Sequence, residues 1–264
     1  MIVHFLNLDI LLGILGGGIY SSVALGTPLP FSWWFVVPGA TWCLYTTDRL
    51  IDTRRSNNGY PTLRHQFHSR YRTSLTFGVV AVGAASAIVG VFTLPWESLF
   101  VAALVSILFG LHHVFQRMIG SRWLGAIKDV NVALAYIVAV WSVPLILADG
   151  IPTIAIGAIT AHITMVAATI VLESLPDKVI DESLDQPSIA RLLGEAGTRW
   201  FLFISIVTLV LCTWLLRTTM LWPVSLAWVA CILSLPLVLR SQLSMPYKRL
   251  LIELTLALPI AIKL

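Results

Sequence analysis

Apolar stretches separated by short polar breaks recur along the whole chain. A transmembrane helix needs roughly 20 consecutive apolar residues, and such windows cover 3–25, 31–51, 73–93, 97–116, 125–148, 153–175, 199–216, 221–239 and 248–264. The last window is short and interrupted by Pro259, which leaves eight spans with a re-entrant or interfacial piece as the alternative. The pattern predicts an all-α polytopic membrane protein with about nine transmembrane helices.

The connections between these windows alternate in charge. Those after the odd-numbered windows are short and nearly uncharged, whereas those after the even-numbered windows carry most of the Lys and Arg residues. Loops rich in Lys and Arg stay on the cytoplasmic side of a membrane. The alternation therefore predicts a multi-pass protein of the cell inner membrane whose N-terminus and basic loops are cytoplasmic.

Composition favours a single membrane-embedded domain over residues 1–264. Of these residues 58% are hydrophobic and 11% are charged, whereas an ordinary globular domain carries about 25% charge. Cys43, Cys212 and Cys231 lie in apolar stretches and do not have the short spacing that is typical of metal-binding cysteines, so they are interpreted as core residues. The net charge of +4 is attributed to residues that set topology. Membrane lipid is therefore an expected partner, and nucleic acid is not.

Acidic side chains are scarce and form two clusters at predicted helix ends. Asp48 and Asp52 lie four residues apart at the end of the second window. A series at the end of the sixth window repeats every four residues and comprises Glu173, Asp177, Asp181 and Asp185. Residues four apart share one helix face, so each cluster directs several carboxylates to one place on the same side of the membrane.

The negative charge of carboxylates arranged in this way must be balanced by a nearby cation, because like charges repel and ionisable groups are costly near lipid. Mg²⁺ takes one or two carboxylates together with the phosphate oxygens of a substrate. The two clusters therefore predict a site for Mg²⁺ ions and a diphosphate. The alternative is a pair of solvated helix ends, with surface ion pairs to Arg49 or Lys178.

The second acidic cluster resembles a motif of a known family. Residues 173–181 read E-S-L-P-D-K-V-I-D, and residues 188–194 read S-I-A-R-L-L-G. These stretches are similar to the second Asp motif of the UbiA superfamily of intramembrane prenyltransferases and to the segment that follows it. The first motif departs from the family pattern, since Leu44 and Tyr45 stand where Asn-Asp is usual and the Arg-Pro pair that normally follows is missing. The resemblance implies nine transmembrane helices around a central cavity.

The resemblance also implies roles for individual residues. It assigns catalysis to Asp48, Asp52, Asp177, Asp181 and Lys128, and metal binding to the same four aspartates together with Glu173. It suggests diphosphate contacts for Arg55, Arg64, Lys128 and Lys178, each of which also fits the role of topology determinant. A carbocation would be stabilised by aromatic faces, for which the candidates are Trp42, Tyr45, Tyr136 and Trp141.

Three functions are compatible with this pattern. The first is Mg²⁺-dependent transfer of an isoprenyl group from its diphosphate to a lipophilic or aromatic acceptor. The second is a terpene synthase or cyclase of the same fold, in which the cation is captured within its own chain. The third is a non-catalytic ion or lipid transporter, which predicts charged or broken helices near the middle of the membrane. Acidic clusters at helix ends on one side favour an enzyme.

Overall fold

Helices make up the regular structure of this chain. The computed structural model describes residues 6–55, 63–119, 122–176 and 188–262, within which no β-strand occurs. The first half forms α1 (Leu8–Leu25), α2 (Trp33–Arg55), α3 (Leu63–Arg70), α4 (Arg72–Thr93), α5 (Trp96–Ile119) and α6 (Arg122–Leu147). The second half forms α7 (Thr153–Ser174), α8 (Ile189–Leu215), α9 (Trp222–Arg240), α10 (Met245–Leu254), a 3₁₀ turn (Thr255–Ala257) and α11 (Leu258–Ala261).

Six helices in the described part of the chain are long and apolar enough to cross a membrane. They are α1, α4, α7, α8, α9 and the Asp129–Leu147 part of α6. The prediction of an all-α, multi-pass membrane protein is therefore confirmed. The count of nine crossings stays a prediction, because α2, α5 and the last apolar segment are not among these six helices. The central cavity of the predicted fold also stays a prediction.

Each of the first eight windows overlaps one helix, and the last overlaps α10, the 3₁₀ turn and α11. Two polar regions add helix that the hydrophobic pattern did not indicate. Helix α3 lies in the polar connection between the second and third windows. Helix α8 begins at Ile189, ahead of the predicted start at 199, and is kinked at Gly194. Gly194 has a φ of 63°, which glycine adopts without steric cost. Residues 189–193 therefore form a short helical segment that precedes the apolar span.

Helix α1 is the central helix of the bundle, in contact with α2, α6, α7 and the chain from α10 to α11. Three consecutive glycines allow these neighbours to approach closely. A Cβ atom on Gly16 would lie 2.7 Å from the Leu256 carbonyl oxygen, and one on Gly17 would lie 2.9 Å from Val140 and His162. A Cβ atom on Gly18 would overlap the Trp33 ring. Each glycine thus makes room for a different neighbour.

The last apolar segment is a broken helix. Pro259 has no amide hydrogen to donate to the carbonyl four residues earlier, which is that of Thr255. The Trp228 Nε1 group donates to this oxygen at 2.9 Å instead. An indole from α9 therefore satisfies a backbone carbonyl that the proline leaves without its helical donor. The helix is interrupted at Thr255–Ala257, and Pro259 lies in the first turn of the helix that follows.

Candidate functional site

A cavity of about 160 Å³ lies between α1, α2, α5 and α6. It follows α2 from Val36 to Asp48, which is about 18 Å of helix at a rise of 1.5 Å per residue. Most of its wall is aliphatic, with residues such as Val37, Leu44, Leu99, Val105 and Val138. The cavity is therefore a long apolar chamber within the bundle.

The charged group on the wall of this chamber is Asp48. Its side chain is only 4% exposed, and it lies toward the C-terminal end of α2. Tyr45 precedes it by about one helical turn and also lines the chamber, while the Arg49 guanidinium lies 5.2 Å from the centre of the Tyr45 ring. The chamber thus has a carboxylate at the end of the bundle where the basic loops begin.

A smaller cavity of about 50 Å³ adjoins the chamber, between α1, α6, α7 and α10. The two share four wall residues, namely Ile10, Tyr45, Val132 and Tyr136. Three carboxylates from three different helices line the smaller cavity, and these are Asp9, Glu173 and Glu253. Every charged residue among the described wall residues of both cavities is therefore acidic.

Asp9 and Glu253 line the smaller cavity although no sequence motif indicated them. Asp9 is 1% exposed and Glu253 is 6% exposed. Both lie inside apolar windows, and an acidic residue within a membrane span is costly enough to indicate a functional role. That signal was present in the sequence, but neither residue belongs to a cluster at a helix end.

Tyr136 lies on the boundary between the two cavities. Its side chain is 9% exposed, and its hydroxyl has no hydrogen-bond partner among the described residues. A Cβ atom placed on Gly13, on the wall of the smaller cavity, would lie 3.3 Å from this hydroxyl. The hydroxyl is therefore directed toward the smaller cavity, where it has hydrogen-bonding capacity available.

The structure brings four of the predicted site residues to the two cavities, which are Asp48, Glu173, Tyr45 and Tyr136. The other two aromatic candidates line neither cavity. Trp42 donates its Nε1 hydrogen to the Leu6 carbonyl at 2.8 Å. Trp141 is buried and donates to His162 Nδ1 at 3.1 Å. Both rings contribute to packing in these positions.

The remaining predicted residues lie outside the described side chains. Asp52, Arg55, Arg64 and Lys128 lie on helices whose backbone is described, whereas Asp177, Lys178 and Asp181 lie in the undescribed stretch 177–187. Asp52 follows Asp48 by one turn on the same helix face. The Ile189 amide, just after the undescribed stretch, donates to Asp129 at 3.2 Å. The start of α8 is thus held against α6 at Asp129.

The carboxylate oxygens on the described cavity walls are the type of ligand that Mg²⁺ prefers. No group of three or more His, Cys, Asp or Glu side chains that could hold a metal ion occurs within the described ranges. Mg²⁺ retains several waters and takes one or two carboxylates together with phosphate oxygens. Asp48 supplies a hard oxygen donor of this kind on the chamber wall, so the residues fit an ion that is completed by a substrate.

Comparison with family models, with curated proteins and with solved structures gives no match to this chain.

Proposed function

We propose that this protein is a Mg²⁺-dependent intramembrane prenyltransferase, which moves an isoprenyl group from its diphosphate to a lipophilic or aromatic acceptor. The observation that carries the proposal is the apolar chamber with Asp48 at one end. An isoprenyl diphosphate has the same polarity pattern, with a long hydrocarbon chain and one highly charged end. In this proposal the chamber would hold the hydrocarbon chain, and the metal-bound diphosphate would lie at the Asp48 end.

The carboxylates that would hold Mg²⁺ are those of Asp48, Asp52, Glu173, Asp177 and Asp181. When bound, Mg²⁺ would neutralise the charge that develops on the departing diphosphate. The basic residues Arg55, Arg64, Lys128 and Lys178 would donate charge-assisted hydrogen bonds to the same group.

The walls of the chamber would protect a reactive carbocation. Its aliphatic residues exclude water, which would otherwise capture the cation. The rings of Tyr45 and Tyr136 lie on the wall, and an aromatic face stabilises a cation by roughly 0.5–2 kcal/mol. These two rings are therefore the aromatic candidates that the geometry favours over Trp42 and Trp141.

Incubation of the purified protein with Mg²⁺ and isoprenyl diphosphates of several chain lengths tests the proposal. A transferase is expected to release diphosphate and form a prenylated lipid only when an acceptor is added. Products formed without an acceptor would indicate a terpene synthase instead. Removal of Mg²⁺ by a chelator should stop either reaction. The proposal fails if none of the diphosphates is consumed with membrane lipid extract present as a source of acceptors.

One structural feature favours a non-catalytic ion or lipid transporter as a second candidate. The last apolar segment is broken at Thr255–Ala257, and Glu253 lies beside the break. Transporters place discontinuous helices and buried acids at their ion sites. In that case Mg²⁺ or lipid would move across proteoliposomes that contain the protein, with no diphosphate consumed.

We also propose that the basic-loop end faces the cytoplasm, because Lys and Arg concentrate there. Cysteines introduced at Gly150 and at Gln242 test this orientation, since both residues are exposed and lie at opposite ends of the bundle. A membrane-impermeant maleimide added to intact cells is expected to label the cysteine at Gly150 and not the one at Gln242. The parental protein controls for Cys43, Cys212 and Cys231. The opposite labelling pattern would reverse the topology.

A further inference from the structure

The apolar chamber has a defined length. Three helices line it over similar distances, from Val36 to Asp48 on α2, from Ser98 to Phe109 on α5 and from Val132 to Val143 on α6. At a rise of 1.5 Å per residue, each of these segments is about 16 to 18 Å long. Because three different helices agree, this length is a property of the chamber and not of one helix.

The end of the chamber at Val36 is closed by packed side chains. Val36 is 7% exposed and Ser98 is 5% exposed. A Cβ atom on Gly90 of α4 would lie 3.2 Å from Val36 and 3.5 Å from Leu99, so α4 supports both side chains from behind. Leu94 also lines this end and packs against the hydrophobic core of the bundle. A hydrocarbon chain that enters from the opposite end therefore meets packed side chains here.

The dimensions of an isoprenyl chain can be compared with this length. Carbon–carbon bonds of about 1.5 Å at near-tetrahedral angles advance about 1.3 Å each along an extended chain. An isoprene unit contributes four such bonds and is therefore about 5 Å long, so the chamber is as long as three or four units. Its volume of about 160 Å³ is similar to that of a cavity of about 150 Å³ that binds benzene. A longer chain therefore has no room to fold back inside the chamber.

We infer that the chamber restricts the substrate to short-chain isoprenyl diphosphates of up to four isoprene units, and that Val36 and Leu99 set this limit. The identification of the ligand as an isoprenyl diphosphate rests on the proposed function, whereas the limit on length follows from the chamber itself. A chain of eight units is about 40 Å long when extended, so it cannot lie between Asp48 and Val36. Long polyprenyl diphosphates are therefore the class of substrate that the chamber excludes.

Binding of non-reactive probes to the full-length protein in detergent with Mg²⁺ tests the limit. The probes are thiodiphosphates of isoprenyl chains with two to five units, in which sulfur replaces the oxygen at C1 and slows ionisation. Each probe is compared between a variant and the parental protein, so that its partition into the micelles cancels. The absence of binding of every probe to the parental protein would refute the inference.

A ring placed partway along the chamber should shorten it. Position 40 lies two turns, or about 12 Å, from Asp48, which leaves room for two isoprene units. Ala40→Phe should therefore weaken binding of the three-unit farnesyl probe at least about 10-fold, since even one methylene matters by this factor in an apolar pocket, and leave the two-unit geranyl probe unaffected. Ala102→Phe on the α5 wall should show the same selectivity. Both alanines are exposed, so neither substitution requires space inside the packed core.

Ala103→Phe is the matched control, because Ala103 is the exposed neighbour of Ala102 on the same helix and is not among the described wall residues. It should leave the binding of every probe unchanged. Unchanged farnesyl binding in both Ala40→Phe and Ala102→Phe would overturn the inference. Equal weakening of the geranyl and farnesyl probes in both variants would also overturn it, because the effect would then not depend on length.

Removal of a side chain from the closed end should lengthen the chamber. The Leu99 side chain has four carbons, nearly the size of one isoprene unit, so Leu99→Ala should strengthen binding of the five-unit probe about 10-fold. Leu104→Ala is the matched control, since Leu104 lies on the same helix, is 47% exposed and does not line the described wall. Unchanged binding of the five-unit probe in Leu99→Ala would show that this end does not set the limit.

Product formation from the ordinary diphosphates is measured separately with the same preparations. If the probes show the expected dependence on length but no diphosphate is consumed, the prenyltransferase proposal fails and the limit on length stands. If diphosphates of four and eight units are consumed at equal rates, the limit on length fails and the prenyltransferase proposal stands.

Discussion

Asp48→Asn is expected to reduce product formation from an isoprenyl diphosphate by at least about 100-fold. Asp48 is the charged residue on the described wall of the apolar chamber, and its side chain is 4% exposed. Asn keeps nearly the same shape but loses the negative charge that attracts Mg²⁺. A ligand to the metal that neutralises the leaving group should therefore be lost with little change in packing. Initial rates at saturating Mg²⁺ and diphosphate measure the effect.

Asp149→Asn is the matched control for this variant. Asp149 is exposed in the short connection between α6 and α7, at the opposite end of the bundle from Asp48. The same substitution there should leave the rate within about 2-fold of the parental protein. Full activity of Asp48→Asn would contradict the metal-ligand role. Loss of activity together with a large fall in melting temperature would instead indicate that Asp48 is part of a buried ion pair.

The helices were predictable because apolar length is a strong signal. A segment that crosses hydrocarbon must satisfy its own backbone hydrogen bonds and expose apolar side chains. The predicted windows for α4 and α7 agree with these helices to within one residue at each end. Polar helices such as α3 have no comparable pattern. The early start of α8 depends on Gly194, whose positive φ joins two helical pieces and leaves no trace in hydrophobicity.

The site was predictable only in part, because a pattern along one helix does not reveal which other helices meet it. The i,i+4 spacing indicated Asp48, and the structure places it on a cavity wall. Asp9 and Glu253 have no acidic neighbour four residues away, so no motif contained them. They join Glu173 only because the close approach of α1 to the broken last helix brings them together, and that approach depends on glycines in α1.

The largest expected effect on stability is that of Gly18→Ala, which should lower the melting temperature in detergent by about 5–10 °C. A Cβ atom on Gly18 would overlap Cη2 of the Trp33 ring and would lie 2.5 Å from its Cζ3. Trp33 is fully buried, so its ring cannot move aside into solvent. Overpacking of this kind costs typically 1–3 kcal/mol and occasionally more. Gly110→Ala is the control, because nothing lies within 4 Å of a Cβ atom there.

Shortening the opposing ring should rescue the overpacked variant. Phe at position 33 lacks the outer ring of Trp, which contains the atoms nearest to Gly18. Trp33→Phe alone should destabilise the protein by leaving a cavity, yet in the Gly18→Ala background it should raise the melting temperature. The Trp33 indole nitrogen has no hydrogen-bond partner among the described residues, so its loss adds no penalty. The effects of the two substitutions on the melting temperature should then be strongly non-additive, as is usual for residues in direct contact. Additive losses in the four proteins would show that Gly18 and Trp33 do not touch, and that the three glycines of α1 do not hold its neighbours at this distance.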